Sequence, residues 1–280
     1  MRLVGSALFV IWLYGLMAVI GLICLPVLLG PRSWSKACFR FYLALVFAGL
    51  RVLCGIRIEI RGREHMPTGP ALVASKHQSM FETLAFWQIL PDPAIILKKE
   101  LKFLPVFGWY AMKLKNVAVD RSAGAKALRD MLKAARERAE QGRQIVIFPQ
   151  GTRVKPGETE SYKPGVAGLY SAMGVPCVPV ALNSGLYWPG SGFVRNPGTI
   201  IVEFLPAIAP GLSKAAFMAE LETRIETASS ALLAEAGHLA LEEFERLAGA
   251  GGAEGHVVAL DQRQVFVQHP GRLGARGGLE

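Results

Sequence analysis

The sequence predicts an α/β fold: a mixed, mostly buried sheet flanked by helices, with membrane-associated helices at the amino terminus. Three observations predict it. Seven strand-like apolar runs recur between Arg57 and Leu205, with helical patterns between several of them. One intervening stretch is plainly amphipathic. And the 27 residues from Leu3 to Leu29 carry no charge. Alternating strand and helix signals belong to an α/β architecture, and a long uncharged run belongs to lipid.

The front of the chain comes first. As a helix, Leu3–Leu29 is about 40 Å long, enough to cross a hydrocarbon core of about 30 Å with tilt. Pro26 ends or kinks it. The run is longer than the apolar core of a secretory signal, and no clear A-x-A site follows, so an uncleaved anchor is expected. A second apolar block, Ala37 to Gly55, carries Arg40 and Arg51 and reads as an interfacial or re-entrant helix rather than a clean span. Arg32, Lys36 and Arg40 follow the first run, which favours a main domain facing the cytoplasm by the positive-inside rule. A helical hairpin with both ends on the cytoplasmic side satisfies the same pattern.

The strands follow: Arg57–Arg61, Ala71–Ser75, Ala94–Lys98, Asn116–Asp120, Gln144–Phe148, Cys177–Leu182 and Thr199–Leu205. Between the fourth and fifth, Leu128, Met131, Leu132 and Ala135 line one helix face, with Arg129, Asp130, Lys133 and Arg136 elsewhere. Phe217, Leu221, Ile225 and Leu232 mark a late helix. The expected organisation is membrane-anchoring helices over 1–54, an α/β domain over 55–247 and a mobile, Gly-rich tail over 248–280.

Composition narrows the class. Hydrophobic residues make up 51% of the chain and the formal net charge is +9. The charge suits an anionic lipid surface or nucleic acid. No zinc-finger or RRM signature occurs, so lipid is the expected partner and nucleic acid is not. Cys24, Cys38, Cys54 and Cys177 show no C-x-x-C spacing, and His65, His238, His256 and His269 lack ligand spacing, so neither a disulfide framework nor a metal site is expected. The absence of G-x-S-x-G disfavours a serine hydrolase. The absence of Walker A and G-x-G-x-x-G patterns disfavours nucleotide chemistry.

The chemistry-bearing residues begin at Ser75-Lys76-His77-Gln78-Ser79-Met80-Phe81-Glu82. His77 is a candidate general base and Glu82 a group to orient it. Residues five apart on one helix lie about 140° apart. The two therefore meet only if His77 sits in the turn before a helix and Glu82 in its first turn. Ser79-x-x-Glu82 also matches a capping box, so the capping and catalytic uses of the carboxylate stand side by side. Downstream, Phe148-Pro149-Gln150-Gly151-Thr152-Arg153 leaves a strand-like run and turns at a glycine. Gly151 permits close backbone approach, and Thr152 and Arg153 offer donors suited to phosphate, or simply a solvated turn. Lys99 and Arg121 are basic groups for an anionic substrate, or strand-end charges. Trp109 and Tyr110 suit a lipid interface or a core. Val178-Pro179-Val180 lies in an apolar strand that lines a tunnel or fills the core.

In this order the blocks resemble the glycerolipid acyltransferases, specifically the lysophosphatidate acyltransferases. The resemblance covers about residues 55 to 210 and the amino-terminal segment. His77 through Glu82 resembles the family's H-x4-D motif. Lys99 through Arg121 resembles the second block, ending in D-R. Phe148 through Arg153 resembles F-P-E-G-T-R, and Val178-Pro179-Val180 the fourth, apolar motif. Two positions depart: Glu82 stands where the family has Asp, and Gln150 where it has Glu. The resemblance implies transfer of an acyl group from a thioester, carried by CoA or acyl carrier protein, to the sn-2 hydroxyl of lysophosphatidate. His77 would be the base, Glu82 its partner, and Lys99, Arg121, Gln150, Gly151, Thr152 and Arg153 would bind substrate. No metal or cofactor is implied. The implied location is the inner or cytoplasmic membrane. Another lysolipid or glycerol-3-phosphate as acceptor, and a non-catalytic lipid-binding module, are the alternatives.

Overall fold

The computed structural model describes residues 1–120 and 123–251. Arg121 and everything beyond 251, including His256 and His269, lie outside the described residues. The chain forms two compact units, Met1–Leu233 and Ala234–Glu280. The described part of the second is helical. That helix continues through 248–251, into the stretch the sequence assigns to a tail.

All seven strands form, as β1 (Ile56–Arg61), β2 (Ala71–Ser75), β3 (Pro93–Lys98), β4 (Val117–Val119), β5 (Gln144–Ile147), β6 (Cys177–Leu182) and β7 (Gly198–Phe204). They build one sheet in the order β1-β7-β6-β2-β5-β3-β4. β6 and β7 are antiparallel and every other neighbouring pair is parallel, which makes the sheet mixed. Every residue of β2, β5 and β6 is buried, as expected of strands covered on both faces. Pro179 is tolerated in this central strand because the β6–β7 ladder breaks there. Cys177 bridges Ile208 while Val180 pairs with Phe204, so two residues face three, a bulge that asks no N–H of Pro179.

Side chains alternate between two cores, the period-2 signature of strands. Val73, Val146, Ile95 and Val178 face one cluster, which takes in α1 (Arg2–Ile23), α2 (Arg32–Cys54) and α3 (Phe81–Ile89). Leu72, Ala74, Ile145 and Ile147 face the other, against α5 (Gly124–Glu140), α6 (Gly165–Met173) and α8 (Lys214–Gly251). Two shorter helices, α4 (Phe107–Lys113) and α7 (Ser184–Tyr187), follow β3 and β6.

α1 and α2 are both long and apolar enough to cross a membrane. The first stops at Ile23, and a 3-10 turn over Leu25–Leu29 carries Pro26. α1 docks on the α/β domain near both of its ends. Ser6 Oγ accepts the backbone N–H of Arg195 at 2.8 Å, and the Gly21 carbonyl accepts the Tyr110 hydroxyl at 3.2 Å. Gly21 leaves room for Val106, whose Cγ1 would lie 2.1 Å from a Cβ at that position. Val106 itself has φ 63°, a strained value for a β-branched residue. Its turn is closed by Phe107 N–H to Pro105 O at 2.6 Å. The opposite side of α1 presents Leu3, Val4, Leu8, Ile11, Val19, Leu22 and Ile23 to the exterior. Trp109 is exposed while Tyr110 is buried, so of these neighbouring aromatics only Tyr110 packs in the core.

Arg40 in the second apolar block, and Arg32 and Lys36 before its core, have protein partners. Arg40 donates to the carbonyls of Trp87, Leu90 and Pro91, closing the carboxyl end of α3. Arg32 and Lys36 pair with Asp92. Groups engaged in docking α2 are weak markers of membrane orientation.

Candidate active site

The site opens beyond the carboxyl ends of β2 and β5. Ala74 pairs with Ile147 at the last rung of that ladder. The two chains then leave the sheet side by side, one carrying His77 and the other the Phe148–Arg153 loop. The loop grips the histidine backbone from both sides. His77 N–H donates to Gln150 Oε1 at 3.0 Å, and Val154 N–H donates to His77 O at 2.8 Å. The imidazole stacks on Phe148, with centroids 4.1 Å apart and planes 17° off parallel. The ring's position is thus set by a strand end, a turn and an aromatic face.

His77 Nδ1 lies 2.9 Å from Glu82 Oε1. His77 precedes α3 and Glu82 sits in its first turn, the only arrangement that lets residues five apart meet. The helix begins at Phe81. Ser79 Oγ accepts the Phe81 N–H at 2.8 Å, while Glu82 Oε1 accepts the backbone N–H groups of Gln78 at 2.5 Å and Ser79 at 2.7 Å. The carboxylate therefore closes the helix start and holds the imidazole together. Its second oxygen accepts Ser184 Oγ at 2.9 Å and Ser79 Oγ at 3.3 Å. Glu82 is fully buried. Burial alone would push its carboxyl up, but the hydrogen bonds from His77 and the Ser79 backbone hold it below the ordinary carboxylate value. With Glu82 ionised, Nδ1 carries the proton and Nε2 is left as an acceptor.

The other candidates divide. Gln150 is fully buried beside His77, and its Nε2 has no partner among the described residues. Gly151 adopts φ 71°, the left-handed turn that favours glycine. Thr152 and Arg153 are exposed, with Arg153 Nη1 reaching Gly190 O at 3.4 Å. Lys99 stands past the end of β3, two strands from β2 on the same edge of the sheet. Its ammonium pairs with Asp120 at 2.7 Å, and that carboxylate raises the Lys99 pKa. Arg121 lies outside the described residues. Val178 and Val180 pack in the core. Cys177 is fully buried, and burial pushes its thiol up, which removes it as a nucleophile.

Sequence reasoning missed three participants. Ser184 comes from the β6–β7 connection, where no motif announces it. Gln78 accepts the Gly185 N–H at 3.0 Å and so fastens the same segment to the histidine loop. Lys76, 2% exposed, pairs with Glu226 of α8 at 2.5 Å, and Tyr162 Oη donates to the other Glu226 oxygen at 2.9 Å. A lysine beside a catalytic-looking histidine was the available signal, but its acidic partner is 150 residues away.

Comparison with known proteins agrees with this architecture. The family model described as Acyltransferase matches residues 57–183. A 1-acyl-sn-glycerol-3-phosphate acyltransferase of Pseudomonas aeruginosa is 38% identical over 185 residues, covering 66% of this chain and 72% of that one. The 1-acyl-sn-glycerol-3-phosphate acyltransferase alpha of Mus musculus is 30% identical over 171 residues, 60% of each chain. The crystal structure of the 1-acyl-sn-glycerophosphate acyltransferase PlsC from Thermotoga maritima shares the fold at 22% identity. Its TM-score is 0.70, over 84% of this chain and 98% of that one. With the four motifs in order and the His77–Glu82 pair formed at the end of β2, the chain belongs to the glycerolipid acyltransferase family, among the relatives of the lysophosphatidate acyltransferases.

Proposed function

We propose that the protein transfers a fatty acyl group from an acyl thioester to the sn-2 hydroxyl of lysophosphatidate, giving phosphatidate at a membrane surface. The observation that carries this reading is the His77–Glu82 pair. Glu82 occupies Nδ1 and leaves Nε2 to take a proton from an alcohol. Nε2 removes the acceptor's hydroxyl proton as the oxygen attacks the thioester carbonyl. The tetrahedral intermediate collapses, the C–S bond breaks, and the thiolate takes the proton back from the imidazolium. Thiols ionise near pKa 8.5, so sulfur leaves without further activation and no acyl-enzyme is needed.

The phosphate of the acceptor falls to Arg153 with Thr152 and the Gly151 turn, because their donors are exposed where the β5 loop leaves the sheet. Gln150 acts by clamping His77. Lys99 and Arg121 are further basic groups for the anionic substrates, with Lys99 held by Asp120. Residues 1–54 form the membrane seat and the α/β domain from 55 onward carries the chemistry. Because α1 docks near both ends on that domain, over about 22 Å of helix, it lies along the domain. Its exposed apolar side enters one leaflet and the site faces lipid substrates there. The cytoplasmic membrane face, where thioesters are available, is the proposed location.

The test is thiol release by purified, lipid-reconstituted protein given acyl-CoA with and without lysophosphatidate, alongside His77→Ala. Acceptor-dependent release with phosphatidate formed, lost in the variant, supports the reading. Near-normal release in His77→Ala rules out the base. Silence with CoA, with acyl carrier protein and with other lysolipids or glycerol-3-phosphate leaves a lipid-binding module.

A further inference from the structure

Among the described residues two guanidiniums are buried outside the His77–Glu82 pair, and they are treated differently. Arg143, 1% exposed, donates to the carbonyls of Asp92, Pro93, Leu114 and Lys115 and pairs with the Asp92 carboxylate. Arg195 is 9% exposed and makes one side-chain hydrogen bond, from Nη1 to Phe193 O at 2.5 Å. Its Nε is buried without a partner, and no carboxylate among the described residues pairs with it. Its guanidinium carbon sits 5.4 Å from the Phe9 ring centroid and 5.3 Å from that of Trp188.

A cation taken out of water without an anion is costly. Aromatic faces offset part of that, but they leave the in-plane N–H donors unanswered. Burial correspondingly draws the Arg195 guanidinium below its ordinary value. An apolar side chain would fill the same space at less cost. The planar fork with an unused edge matches one ligand chemistry closely, a phosphate taken by parallel N–H bonds. The surroundings suit an amphiphile. Phe193 and Val194 beside it in the chain are 46% and 37% exposed, and the guanidinium also lies 6.0 Å from the Phe193 ring centroid.

We propose that Arg195 binds the phosphate of a membrane phospholipid whose tails lie against the exposed apolar side chains of Phe193 and Val194. This site is separate from the acceptor phosphate position at Arg153, which lies at Gly190, toward the other end of the loop. Only the lipid source of the phosphate rests on the reading of α1 as a membrane seat.

The experiment is thermal unfolding of the full chain in detergent, titrated with dihexanoyl phosphatidylglycerol, dihexanoylglycerol or inorganic phosphate. The probes are water-soluble and not the proposed product, so neither failed membrane binding nor absent acyl transfer affects the result. Saturable stabilisation by the phospholipid, but not by the neutral glyceride, is expected. Its apparent Kd should rise about tenfold or more in Arg195→Met, the loss of a charge-assisted bond, and stay unchanged in Arg153→Ala. An unchanged Kd in Arg195→Met, even with a lower starting Tm, would mean that the residue only pins α1 and would overturn the proposal. Equal stabilisation by inorganic phosphate would overturn the lipid assignment. Should Arg195→Met fail to fold, Arg195→Lys keeps the charge and loses the fork. A Kd weakened about tenfold supports the site, and an unchanged one rejects it.

Discussion

Ser184 Oγ donates to Glu82 Oε2 at 2.9 Å, across 102 residues of sequence, and both side chains are fully buried. The first turn of α7 is thereby tied to the first turn of α3. Since the other Glu82 oxygen holds the imidazole, Ser184 sets the plane in which that carboxylate meets His77. The extra methylene of Glu over Asp makes this tether more consequential, because a longer side chain has one more torsion to restrain.

Ser184→Ala should therefore lower kcat about 5–10-fold, the worth of one buried hydrogen bond, with KM for acceptor and thioester unchanged. Ser184→Thr should restore most of the rate. Equal losses in the Ala and Thr variants would point to packing instead of positioning.

Glu82→Gln should cost about 100-fold or more in kcat, since a neutral amide no longer stabilises the imidazolium. It also has a pH signature. Glu82 is held below the carboxyl value of an unfolded chain, about 4.3. Its ionisation therefore stabilises the fold above that value, and the stabilisation is lost as pH falls through the folded pKa. Denaturant melts should show the wild-type advantage over Glu82→Gln shrinking on acidification from neutral pH to below about 4. A gap of constant size would contradict this assignment.

Arg153→Ala is expected to raise the apparent KM for lysophosphatidate about tenfold or more while leaving that for the thioester alone. Steady-state kinetics with each substrate varied in turn provides the check. A matched rise for both substrates would move Arg153 away from the acceptor phosphate.

Lys76→Met removes the cation between the histidine loop and α8. Glu226 then keeps Tyr162 but loses its charge partner. Breaking a buried pair from one side costs about 3–5 kcal/mol. The low end applies here because the Glu226 side chain is 20% exposed. Combining it with Glu226→Gln should recover part of the loss in Tm. Simple additivity of the two variants would show that the pair is not coupled.

Much of the fold was legible because its signals are local. Runs such as Ala71–Ala74 and Cys177–Leu182 are apolar throughout, and buried strands of a largely parallel sheet are written that way. The His77–Glu82 contact was legible for the same reason, since the two residues lie five apart in one local segment and the Ser79-x-x-Glu82 pattern places the helix start between them. Gln150 was visible as a candidate, but its bond to the His77 backbone was not, because it depends on β2 and β5 being neighbours in the sheet.

By itself the sequence determined the strand set, the motif residues and the apolar amino terminus, all of which follow from side-chain type and short-range periodicity. Only the tertiary structure decided that one carboxylate both caps α3 and holds the imidazole, that Ser184 and Lys76 belong with the histidine loop, and that α1 lies along the domain. Those outcomes depend on which strand neighbours which. That choice is made by the packing of two cores on opposite faces of one sheet, and no local window of residues contains it.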